Sequence, residues 1–93
     1  MTKDQKNTVT EYASSLNDDD LRFLASRLNE KLYGDMPEAL NAMSKNSKID
    51  GVLSSAVSGE ELFTICDQVR DVLIKECKKR GVSVRYVPAH SAA

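Results

Sequence analysis

Ninety-three residues set the scale of one domain and leave little room for two. At 41% hydrophobic and 29% charged, the chain is too apolar to stay disordered and can bury a modest core without disulfides or metal. Thirteen basic and 14 acidic residues nearly cancel to a net charge of −1, so no overall field draws the chain to nucleic acid or to an anionic membrane.

The first residues, Met1 to Lys6, are polar, and nothing in them resembles the apolar stretch of a signal peptide. No apolar run approaches the ~18 residues of a membrane span. The expectation is a soluble cytoplasmic protein with no membrane partner. Val9, Tyr12, Ala13 and Leu16 then recur at i, i+3, i+4, i+7, which predicts a short helix over 4–15. Thr8 and Thr10 weaken it, because β-branched residues lose rotamer freedom in a helix.

Asn17 and the run Asp18, Asp19, Asp20 mark the next helix start. Any of Asn17 to Asp19 can cap, and the remaining acids suit the positive helix end. Leu21, Leu24, Ala25, Leu28 and Leu32 follow as one stripe, and Gly34 stops it. Asp35 is a cap for a third helix, with Pro37 in its first turn, where a missing N–H costs nothing. Leu40 and Met43 face inward. Residues 44–51 read as a loop and as the flexible hinge of the chain. Ile49, Val52, Leu53 and Ala56 keep helical spacing, so a short helix over 48–56 overlaps that loop, with Gly51 against it.

The best-formed helix spans 59–80. Ser58 and Glu61 read as a capping box, and Gly81 is a left-handed stop. Leu62, Ile65, Cys66, Val69, Val72, Leu73 and Cys77 form its apolar stripe. Beyond it Val82, Val84 and Tyr86 alternate with Ser83 and Arg85, a period of two that ends at Pro88. A lone strand cannot make a sheet, so an extended arm packed on the helices is expected, with a disordered tail to Ala93. The fold class is therefore all-α: a bundle of four to five short helices over 1–81, with an extended C-terminal arm over 82–93.

Chemistry is sparse. The single histidine, His90, falls in the tail, so neither a Ser-His-Asp nor a Cys-His arrangement can be assembled. The aspartates at 18–20 sit where a helix cap belongs, and their spacing is not that of a calcium loop. Cys66 and Cys77 lie about 16 Å apart along one helix, too far to bridge and too widely spaced for a structural zinc site. They read as two buried thiols in a reducing compartment. No glycine-rich phosphate cradle is present. Neither a catalytic residue, a cofactor, a metal nor a small-molecule substrate is expected, and the chain is not read as an enzyme.

Two surfaces remain. Phe23 points about 160° away from its leucine stripe at 100° per residue. Phe63 and Ile74 lie on one line of the long helix, about 120° from the centre of its core stripe. Either further helices bury all three or they form an apolar face for a partner protein or for a second copy in a homodimer. The second surface is basic: Lys75, Lys78, Lys79, Arg80 and Arg85. Residues 1–57 carry seven basic and nine acidic side chains, and the remainder six and five. Lysines at a helix end and glutamates at its start are what the helix dipole favours, yet the same cluster could meet phosphate. The primary expectation is a regulatory protein–protein interaction module. The alternative is a nucleic-acid-binding regulator that uses the basic helix end.

Overall fold

The computed structural model describes residues 1–30 and 35–84, and five helices account for most of them. They are α1 (Lys3–Ser15), α2 (Asp18–Glu30), α3 (Asp35–Ser44), α4 (Ser47–Ser54) and α5 (Gly59–Arg80). Among the described residues there is no strand, and no helix is long and apolar enough to cross a membrane. The all-α expectation holds. Leu32, Gly34 and residues 85–93, including Arg85, Tyr86, Pro88 and His90, lie outside the described residues.

Local chemistry explains each start. Thr2 and Gln5 form a complete capping box on α1: the Gln5 N–H donates to Thr2 Oγ1 at 3.1 Å, and the Thr2 N–H donates to Gln5 Oε1 at 2.9 Å. Asn17 caps α2, its Oδ1 accepting from the Asp20 N–H at 2.8 Å, so the three aspartates occupy the first turn. Asp35 is the first residue of α3 rather than the residue before it, which leaves Pro37 inside the first turn.

The segment 44–51, expected as a loop, is mostly helical. Asn46 accepts from the N–H groups of Lys48 and Ile49 at 3.0 and 3.2 Å, and this cap starts α4 at Ser47, leaving a two-residue link. Gly51 sits inside α4, exposed, and is held helical by its neighbours. Ser58 caps α5 by accepting from Glu61 N–H at 3.2 Å. The Glu61 carboxylate reaches past Ser58 to accept from the Val57 N–H at 3.0 Å, one residue beyond the standard box.

The core is continuous across all five helices. Leu21, Leu28, Met43, Ile49, Val69, Leu73 and Cys77 are fully buried. α2 packs most extensively on α5, α3 lies against α2, α4 joins α3 to α1, and α1 closes on α5. Both cysteines are buried, and they are not joined in a disulfide. Burial pushes the Cys77 thiol up from its ordinary value, against the pull of the Arg80 and Arg22 charges.

α5 ends as read. Gly81 has φ +73°, its N–H donates to Lys78 O at 3.2 Å, and Val82 N–H donates to Cys77 O at 2.8 Å. Those two bonds are a Schellman motif. Val82 and Val84 then pack against the core while Ser83 faces solvent, so the period-two pattern is used on a helical surface rather than in a ladder.

Candidate functional site

The apolar residues off the core stripes have different surroundings. Phe23 is half-buried against the core, and the Arg27 guanidinium, one helical turn on, covers its ring at 4.6 Å. Arg27 is itself buried and its Nε meets Glu38 Oε2 at 3.4 Å, which ties α2 to α3. Ile74 is also half-buried against the core. Phe63 is 52% exposed. On the line between Phe63 and Ile74 stands Arg70, bonded to Asp71 at 3.1 Å and to Asp67 at 3.5 Å. The three expected anchors are therefore not one apolar face. Phe63 is the one that presents its ring to solvent.

Val57, 85% exposed, adds to Phe63. A hydrophobic residue just before a helix cap usually staples onto the fourth helical residue, here Leu62. Val57 is left uncovered, so the start of α5 carries two large apolar side chains exposed to water. The spacing rules offered no signal for Val57, because the staple pattern predicts it covered.

The basic cluster also divides. All five N–H donors of Arg80 meet acceptors. Nε donates to Glu76 Oε2 at 2.8 Å, NH1 to Leu16 O at 2.6 Å and Asp18 Oδ1 at 3.2 Å, and NH2 to Ala13 O at 3.1 Å and Ser14 O at 3.0 Å. The Glu76 hydrogen bond and the Asp18 bond hold the guanidinium above its ordinary pKa. Arg80 thus supplies the C-terminal cation that α1 lacks in its own last turn and pins α1 and α2 to α5. It has no fork left for a phosphate. Lys75, Lys78 and Lys79 are exposed, and none has a carboxylate within 4.0 Å among the described residues.

Lys75 and Lys79 line a trough between α1 and α5 that the sequence did not disclose. Lys6 of α1 joins them there. Two depressions of about 310 and 300 Å³ share Lys6, Val72 and Lys75. A third, of about 380 Å³, continues through Gln68 toward Glu61 and Ser55. The Met1 ammonium donates to Gln68 Oε1 at 3.1 Å where the third depression begins, so the lysine-lined trough runs from Gln68 to Lys79, about 17 Å along α5 at 1.5 Å per residue. The described residues hold no group of three or more His, Cys, Asp or Glu placed to bind a metal ion.

No family model, no curated protein and no solved structure matches this chain.

Proposed function

We propose that this protein is a small cytoplasmic protein-interaction module, without catalytic activity, that binds a partner protein or a second copy of itself through the start of α5. The observation that carries the reading is the exposure of Phe63 and Val57, the two exposed large apolar side chains among the described residues. A half-exposed phenylalanine is a strong anchor, because it buries much area while freezing few torsions.

The test is Phe63→Asp. It is expected to keep helicity and melting temperature and to lose association, read as solution mass by light scattering at two concentrations and as retention on immobilised wild-type protein. Cooperative destabilisation by Phe63→Asp would make Phe63 a core residue and overturn the reading.

Nucleic-acid binding stands second. Lysines 75, 78 and 79, exposed and without an ion pair among the described residues, favour it, while the engagement of Arg80 removes a bidentate phosphate ligand. Elution from heparin at low salt, unchanged by Lys78→Glu with Lys79→Glu, is the result that sinks it.

A further inference from the structure

We infer that the trough between α1 and α5 is a docking groove for an acidic, amphipathic segment of a partner protein. The inference concerns a different flank of α5 from Phe63 and goes beyond the reading above. It rests on the charge balance inside the groove. Lys6, Lys75 and Lys79 come from two helices to one depression, and none has a carboxylate within 4.0 Å among the described residues. Two acids also line the groove, and both are engaged elsewhere. Asp71 is held by Arg70 at 3.1 Å and Glu76 by Arg80 at 2.8 Å. Each arginine is shared with a second acid, Arg70 with Asp67 and Arg80 with Asp18, so the two acids keep part of their charge, yet the three lysines outnumber them and have no carboxylate of their own among the described residues.

The floor points to protein rather than to a polyanion. Val72 is half-buried between the lysines, and lysine stems add apolar surface while their ammonium groups stay wet. A side-chain-bearing segment can seat an apolar residue on Val72 and place its acids only opposite the lysines. A phosphate backbone carries charge at every unit and would also run past Asp71 and Glu76. A trough between two helices, about 17 Å along α5, has the dimensions that receive about three turns of helix.

The experiment uses the full chain, ¹⁵N-labelled, with three fluorescein-labelled probes at low salt. One is an 18-residue helix-forming peptide with leucines on one face and glutamates flanking them. The second is the same peptide with lysine for every glutamate, and the third is a 20-nucleotide single-stranded oligothymidine. The acidic peptide is expected to bind, by anisotropy, and to shift amide resonances of α1 and the second half of α5. Lys75→Glu with Lys79→Glu should weaken it at least tenfold without changing the melting temperature, as should raised salt. Lys78→Glu and Phe63→Asp, both outside the groove, should leave it unchanged, which separates this inference from the Phe63 reading. Absence of binding, equal loss with Lys78→Glu, equal binding of the lysine peptide, or tighter binding of the oligonucleotide each overturns it.

Discussion

The two long seams of α5 are built on different principles. Against α2 the seam is dry: Leu21, Leu24, Ala25 and Leu28 meet a helix whose Val69, Leu73 and Cys77 are fully buried. Against α1 the apolar supply is thin, since Val9 and Ala13 are the buried residues of that helix. Polar ties make up the difference. Arg80 holds the end of α1, and the Gln5 side-chain amide donates to Ser55 Oγ at 3.2 Å near its start. A seam sealed by leucines closes completely. A seam held at its ends by hydrogen bonds leaves the trough between them.

The comparison can be broken experimentally at several points. The largest effect should come from the dry seam. Leu28→Ala or Leu73→Ala is expected to cost about 2–5 kcal/mol by urea denaturation, because a fully buried leucine leaves a cavity that a close-packed core cannot refill. On the other seam Val9→Ala should cost less, about 2 kcal/mol, since fewer buried atoms are removed. Equal losses at the two seams would show that α1 is held as tightly by packing as α2.

Arg80→Lys sharpens the point about polar ties. A lysine offers three donors on a point charge in place of a planar five-donor fork. Hydrogen exchange should quicken first over the last turn of α1 and the first turn of α2, with the α2–α5 core still protected. Uniform loss of protection would make Arg80 part of the global core.

A smaller effect is set by pH. The folded Cys77 thiol has a raised pKa, so it keeps its proton where the unfolded chain begins to lose it. Stability should stay level through neutrality and fall as pH climbs past the ordinary thiol value of about 8.5. Cys77→Ala should remove part of that slope. The smallest change is a gain. Gly51 lies exposed within α4, and a methyl group there would meet no atom within 4 Å, so Gly51→Ala should add up to about 1 kcal/mol.

What the sequence disclosed about the fold was local. Ser58, Asn17 and Gly81 act within three or four residues of themselves, and each does what its neighbours imply. The pair Thr2 and Gln5 carried the same kind of signal, three residues apart, and extends α1 back to Lys3. By composition alone, the serines, lysines and glycine of 44–51 read as a loop. Asn46 was decisive, since one well-placed cap outweighs a weak helix former.

The surfaces were far less legible. Lys6 joins Lys75 and Lys79 only because α1 lies on α5, and no spacing rule connects positions some seventy apart in the chain. Phe23 looked like a spare aromatic until Arg27, itself drawn inward by Glu38, came to lie over it. Arg80 was grouped with its neighbours by charge, whereas geometry separates it from them.

The five bonds of Arg80 also bear on how the chain reaches this state. The carbonyls it satisfies belong to residues 13, 14 and 16, and the bonds span 64 to 67 positions. A chain growing from its first residue carries α1 with those carbonyls open to water until the last turn of α5 has formed. The first helix is therefore finished by the last. Closing so long a loop carries an entropic cost, so the contacts that finish α1 are among the least local in the molecule.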